Sequence, residues 1–472
     1  MTTFDSTPCL PTNQPPQAHA PTTGNPADAK PDTAVPLPRP RNWTEPTSQD
    51  SPEIDEFLPL SPGSLSDAGL DAVDVHRLII KFLYIRGARS GHGIAKQIKL
   101  PFNLVEPLLQ SLRNQLLIGY RGASVGGDYE YELSPKGIEL ARQYMEQCTY
   151  CGAAPVSLAE YEYSVARQSL KNLRPDFDSV QKCLADLVLP KELIGQVGQA
   201  LLSGSSLFLY GAPGNGKSTI ATRLVEAVGS TIWIPRTLTI GGEIIRFFDS
   251  SVHEAIPENV NRGLLNDDRI DQRWVQVKRP TIVVGGELAL SHLDATINPI
   301  TGIIEAPVHL KCNCGVLVVD DFGRQRIKPV ELLNRWIVPM ERNRDFICLP
   351  SGRQIEVPFE QLLIFATNLS PKNIVDEAFL RRIRYKVQVP DPTPDQFRQL
   401  FQSRGATLGI DINQQALDRL VIEHYEQANR PMRFSHVNEL LAHVRDYCDF
   451  HHQPPQLNQT TATEAARNIF AG

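Results

Sequence analysis

Apolar residues recur at helical spacing in Val73-Asp-Val-His-Arg-Leu-Ile-Ile-Lys-Phe-Leu83, which predicts an amphipathic helix. Gly91 to Ile98 reads as a short second helix and Asn103 to Leu117 as a third. The period then changes. Tyr120 to Gly122 and Tyr129 to Leu133 read as strands around a Gly126-Gly127-Asp128 turn. Ser134-Pro135 opens a last helix, with the serine as cap and the proline at its first position. Further on, Leu189 to Leu202 has helical spacing. Leu207 to Tyr210, Thr281 to Val284, Val316 to Val319 and Leu362 to Ala366 are apolar runs. Such runs suit strands buried on both faces of a parallel sheet. Beyond Asp391-Pro-Thr-Pro394 the pattern is helical only: Gln396 to Arg404, Gln414 to Gln427, and Phe434 to Phe450.

Residues 1–65 have neither period. Residues 1–62 hold 14 of the 37 prolines, so they bury too little apolar surface to offset their ordering entropy and read as a disordered tail. Pro36-Leu-Pro-Arg-Pro40 within it is either a spacer or a polyproline ligand for an aromatic groove. The order of patterns gives four regions: the tail 1–65, a module at 66–152, an α/β core at 153–391, and a helical region at 392–472. The three helices, wing and closing helix of 66–152 resemble a winged helix-turn-helix domain.

Composition is that of a globular protein, 41% hydrophobic and 21% charged. A net charge of −6 argues against a surface that coats nucleic acid. No apolar run approaches the roughly 18 residues of a membrane span, so no membrane insertion is expected. The N-terminus lacks a signal-peptide pattern, which makes the cytoplasm the expected location and the eight cysteines reduced thiols. Cys148/Cys151 and Cys312/Cys314, with His309 nearby, are candidate zinc ligands, each pair half a site without the other.

The sharpest chemistry lies in Gly211-Ala212-Pro213-Gly214-Asn215-Gly216-Lys217-Ser218-Thr219. A strand pattern precedes it and a helical pattern follows. This is a G-x-x-x-x-G-K-[ST] phosphate loop, whose backbone N–H groups turn inward onto an anion. Lys217 suits the β- and γ-phosphates of ATP, and the Ser218 hydroxyl suits Mg2+. The run Val316 to Val319 ends in Asp320-Asp321, placing Asp320 to bind Mg2+ and Asp321 to polarise a water. Leu362 to Thr367 ends in Asn368, an amide able to orient water or phosphate. Asp376 to Arg384 reads as a short arginine-rich helix.

Taken together, these motifs resemble the AAA+ ATPase superfamily over about residues 180–450. The resemblance implies an α/β P-loop NTPase core with a parallel sheet and a C-terminal α-helical lid. It makes Gly211 to Ser218 the Walker A loop, Asp320-Asp321 the end of Walker B, and Asn368 sensor 1. The arginine finger falls on Arg382 or Arg381, and sensor 2 on Arg433 or Arg430. Asp345 to Pro358 looks like the β-hairpin inserted before sensor 1 in the branch that includes MoxR-like ATPases. A finger acts on a neighbour, so the resemblance implies self-assembly into a ring, with a hexamer expected.

Two departures matter. Walker B in that superfamily usually ends Asp-Glu, and Asp321 is one methylene shorter. Glu287, after Thr281 to Val284, is a second carboxylate in reach of the role, or a helix-start glutamate. Residues 240–312 contain no aromatic-hydrophobic-Gly pore loop. The winged module carries ten Lys/Arg against nine Asp/Glu over 66–146, with Arg113 the only cation of its third helix. DNA affinity rests largely on cations, so an unknown protein client is expected there rather than nucleic acid, with a DNA-acting ATPase as the alternative. A nucleotide-gated scaffold with little hydrolysis is the third reading.

Overall fold

A computed structural model describes residues 57–123, 128–229, 231–257, 269–374 and 380–470. The first module packs helices Ala72–Arg86, Gly91–Ile98, Phe102–Asn114 and Pro135–Gln147 against three antiparallel strands, with Tyr129–Leu133 in the middle. Val75, Leu78, Ile79, Ile94, Leu109 and Leu112 are its buried centre. Side chains cap three of these four helices, Ser134 among them as the sequence suggests. Ser90 accepts from the Gly93 N–H, and Ser134 from the Gly137 N–H. The helices and strands follow one another in the order the sequence pattern predicts.

Asp128, which as a residue of the wing turn would be expected at the surface, is not an exposed charge. Its side chain is buried and accepts hydrogen bonds from the N–H groups of Gly91 (3.2 Å) and His92 (2.9 Å), at the start of Gly91–Ile98. Burial pushes its carboxyl up, but the hydrogen bonds from His92, Tyr129 and Gly91 outweigh it and hold the pKa below the ordinary value. The Gly126-Gly127 turn lies outside the described residues.

The four apolar runs after residue 205 form a parallel sheet with a fifth strand, Tyr385–Gln388, that the apolar pattern does not mark. Its order is Tyr385–Gln388, Leu207–Tyr210, Leu362–Thr367, Val316–Val319, Thr281–Val284. Alternate residues serve opposite faces, as a pleated strand requires. Leu207, Leu209, Val316, Val318, Leu362 and Ile364 pack with Leu193, Val197 and Ile220. Phe208, Leu317, Val319, Leu363 and Phe365 pack with Leu332, Leu333 and Trp336. The three central strands are buried on both faces and show no polar side; the edge strands expose Lys386, Gln388 and Val283. All five end at one edge, and the glycine-rich loop, Asp320-Asp321 and Asn368 leave from it.

A second β layer is inserted between the glycine-loop helix and Thr281–Val284. Thr231–Pro235 pairs with Trp274–Lys278, and Thr237–Ile240 with Glu243–Arg246. Ile304–Glu305 extends the second pair, and Val156–Ser157 closes its other edge. The hairpin Arg344–Cys348/Gln354–Pro358, expected from the sequence, packs on this layer. Ile234, Ile245, Phe247, Trp274 and Ile347 are among its buried residues.

Arg273 ties this layer to the winged module. Its side chain is 1% exposed. It donates to both oxygens of Asp271 and to the carbonyls of Ala68 (2.8 Å) and Pro155 (3.0 Å). Replacing it with alanine strands the Asp271 carboxylate and two carbonyls. Arg273→Ala is expected to lower unfolding free energy by about 3–5 kcal/mol, read as a fall in the urea midpoint at unchanged slope.

The C-terminal region is a helical unit of Pro394–Leu408, Gln414–Val421, Phe434–Phe450 and Gln459–Phe470. Phe397, Phe401, Leu417, Tyr425, Leu441 and Ala465 fill its centre. Thr393 and Gln396 form a capping box at its entry, with Pro394 at the first position. Among the described residues no helix is long and apolar enough to cross a membrane.

Candidate functional site

The glycine-rich loop runs from Leu207–Tyr210 to the helix Lys217–Arg223. Gly214 sits at φ 80°, and a Cβ there would collide with Ser435 of the helical unit. Gly216, at φ 77°, holds the left-handed turn at the helix start. Both positions need glycine for backbone reasons alone.

Inside the loop Lys217 is buried, at 6% exposure. Its Nζ donates to the carbonyls of Gly211 (3.1 Å) and Ala212 (2.9 Å) and to Asn368 Oδ1 (2.6 Å). Burial pushes its pKa down, and Asp320 and Asp321 pull it back up. Asn368 Nδ2 in turn donates to Asp321 Oδ1 at 3.0 Å, and Ser218 Oγ donates to Asp320 Oδ2 at 2.7 Å. Five residues from three strand ends thus form one polar cluster. Asp321 takes φ 48°, uncommon outside glycine. Its N–H is held by Asp320 Oδ1 at 2.9 Å. Gln325 steadies the same turn, donating to the Asp320 carbonyl at 2.7 Å. No motif in the sequence singles out Gln325.

The helical unit closes on this loop. Ser435 N–H donates to the Gly214 carbonyl at 2.8 Å. Arg433 pairs with Asp391, which also accepts from Asn215 Nδ2 at 2.7 Å. Arg430, the alternative candidate, is used elsewhere. It donates to the His424 carbonyl at 2.9 Å, and its guanidinium lies 3.9 Å from the Phe470 ring centre. A cavity of about 290 Å³ opens between loop and helices. Gly214, Gly216 and Thr219 line it from the core, Leu187 and Leu189 from the preceding segment, and Leu400 and Phe434 from the helical unit. Its apolar walls next to a phosphate-type loop suit a flat heterocycle. The run Leu187-Val-Leu189 was the unread signal for it.

Arg381 and Arg382 lie apart from this cluster. They precede Tyr385–Gln388, whose first residue is beside Leu207 and whose last is beside Tyr210. The arginines are therefore at the far edge of the sheet, about 13 Å from the loop at roughly 3.3 Å per residue. Arg382 Nε donates to Glu341 at 2.7 Å. Residues 376–379 of the predicted helix lie outside the described residues. Glu287 also stays out of the cluster. It is exposed and accepts from the Gly285 N–H of its own loop at 2.8 Å, which lowers its pKa. It lies in a turn, at neither a helix start nor the polar cluster.

Similarity to known proteins is limited. Residues 393–468 match a family described as a domain of unknown function, DUF8689. A stretch of 165 residues, 35% of the chain, is 27% identical to the adapter protein unc-53 of Caenorhabditis elegans and covers 9% of that protein. Among solved structures, the chain is similar to the RuvB Holliday junction branch migration motor of Thermotoga maritima. Identity is 12% and the TM-score 0.31, over 64% of this chain and 72% of that one. A point mutant of that RuvB gives a TM-score of 0.33 at 12% identity, over 64% and 73%. Such low scores leave the argument to the residues themselves.

Ser218 and Asp320 are hard oxygen donors side by side, and this set fits Mg2+. Mg2+ needs few protein ligands because phosphate oxygens and water complete its shell. Among the described residues no three His, Cys, Asp or Glu side chains converge as metal ligands. Cys312 and Cys314 are buried, and burial pushes both thiols up, Cys314 to about 12. His309 Nε2 lies 2.9 Å from Asp345 Oδ2 in a buried pair.

Proposed function

We propose that this chain is an AAA+ ATPase that uses ATP to remodel a protein partner. The observation that carries the reading is the single cluster joining Lys217, Asn368 and Asp321, with Ser218 on Asp320 beside it. Each member has a role in phosphoryl transfer to water. Lys217 leaves the loop carbonyls to neutralise the β- and γ-phosphates. Ser218 and Asp320 hold Mg2+, which when bound neutralises developing charge between those phosphates. Asp321 orients the attacking water, and Asn368 fixes the Asp321 carboxylate. Arg433 approaches the phosphates from the helical unit. Arg382, at the far sheet edge, serves the site of a neighbouring subunit in a ring, with Arg381 as second choice. The winged module offers a nearly neutral surface, and burial of Asp128 changes that balance by one charge only. A protein client fits it better than DNA.

A nucleotide-gated scaffold with little turnover is the second reading. The short Asp321 side chain favours it. Phosphate release separates the two. The wild type is expected to turn over and Asp321→Asn to bind ATP without turnover. Asp321→Glu is expected to hydrolyse at least as fast as wild type if side-chain length is the limit. A wild type that binds ATP and releases no phosphate, beside an active Asp321→Glu, would make the chain a gated scaffold.

A further inference from the structure

Asp391 lies in Pro390-Asp391-Pro392, between the strand Tyr385–Gln388 and the helix Pro394–Leu408. One of its oxygens serves two partners, Asn215 of the glycine-rich loop and Arg433 of the helical unit. The glycine-rich loop, the strand-to-helix linker and the helical unit therefore meet at one carboxylate. We propose that Asp391 is a positioning residue that holds the Arg433 guanidinium whenever no γ-phosphate is present, so that the helical unit grips ATP and releases ADP. The inference rests on the nucleotide reading above.

The backbone at both ends of the pair is pinned. Ser435 N–H is bonded to Gly214, two residues after Arg433. Val389 N–H donates to the Tyr210 carbonyl at 2.8 Å, two residues before Asp391. Pro390 has a fixed φ, and Asp391 is confined to extended backbone by Pro392 after it. Asp391 cannot follow Arg433 if its side chain swings. The long arginine side chain is the free part, and it has two anions to choose from. A terminal phosphate carries close to two negative charges at neutral pH, against one on Asp391. With ATP bound the phosphate wins. When Arg433 leaves, Asp391 keeps the Asn215 amide, so its carboxylate is not left bare. With ADP the terminal group lies one phosphate short, and Arg433 returns to Asp391.

ADP titration by calorimetry into the full chain tests this as a double-mutant cycle. Asp391→Asn is expected to tighten ADP binding about tenfold, because the freed Arg433 settles on the β-phosphate. In an Arg433→Ala background the same substitution should change ADP affinity by less than about twofold, the part due to Asn215 alone. Arg433→Ala alone should weaken ATP about tenfold and leave ADP within twofold of wild type. Asp391→Glu keeps the charge and should stay closer to wild type than Asp391→Asn. An Asp391→Asn effect of equal size in both backgrounds, or none in either, overturns the inference. So does an Arg433→Ala that weakens ATP and ADP alike, a result readable even if Asp391→Asn fails to fold. A wild type that binds neither nucleotide defeats the nucleotide reading and this inference together. A wild type that binds both while the cycle is additive defeats this inference alone.

Discussion

Lys217→Ala will weaken ATP binding at least about a hundredfold by calorimetry, while the chain stays folded. Lys217 Nζ is held by two loop carbonyls and Asn368, all neutral acceptors. The lysine charge is balanced only at longer range, by Asp320 and Asp321. A triphosphate placed against the loop supplies the anion this buried cation lacks. Alanine removes the one cation buried inside the loop itself, and the remaining contacts cannot replace it. Unchanged affinity would show that the loop is not a phosphate site. Lys217→Arg keeps the charge but must fit a planar, larger group into the same space, so a substantial loss is expected there too.

The second large effect concerns assembly. Arg382→Ala should bind ATP normally and lose turnover about 1,000-fold or more. The sheet geometry fixes the logic. Arg382 precedes a strand that runs parallel to the glycine-loop strand, so it sits at the edge opposite its own loop. On the proposed reading it acts on the phosphate of another copy. Mixing Arg382→Ala with Asp321→Asn should then recover part of the activity, because some sites join an intact Asp321 to an intact neighbouring Arg382. No recovery on mixing, together with normal turnover of Arg382→Ala alone, would remove both finger and ring. The pairing of Arg382 with Glu341 gives a further handle. In a ring the arginine must exchange that carboxylate for the neighbour's phosphate.

The parts legible in the sequence were those where one strand end carries one motif. The glycine loop, Asp320-Asp321 and Asn368 each follow an unbroken apolar run, and parallel strands put all three at one sheet edge. The hairpin at Arg344–Cys348 and Gln354–Pro358 was legible because its turn is local. The second β layer was not. Its partners are distant in sequence, as in Thr231–Pro235 with Trp274–Lys278, and several of its strands have only two residues. Neither alternation nor length marks such strands. The last helix, Gln459–Phe470, was passed over because it buries Thr461, Ala462, Ala465 and Ala466 rather than large apolar residues. Asp128 was misplaced because a turn aspartate reads as exposed, and nothing local reveals the distant helix start that it caps. Asp391 and Gln325 escaped for a related reason: their work is to hold other functional residues, and no spacing motif records that.

ATP titrated calorimetrically into the full wild-type chain, with and without Mg2+, tests the central claim most directly. The account predicts saturable binding of one ATP per chain at micromolar affinity or tighter, strengthened by Mg2+ through Ser218 and Asp320. No measurable ATP binding in either condition, by a folded chain, would contradict it.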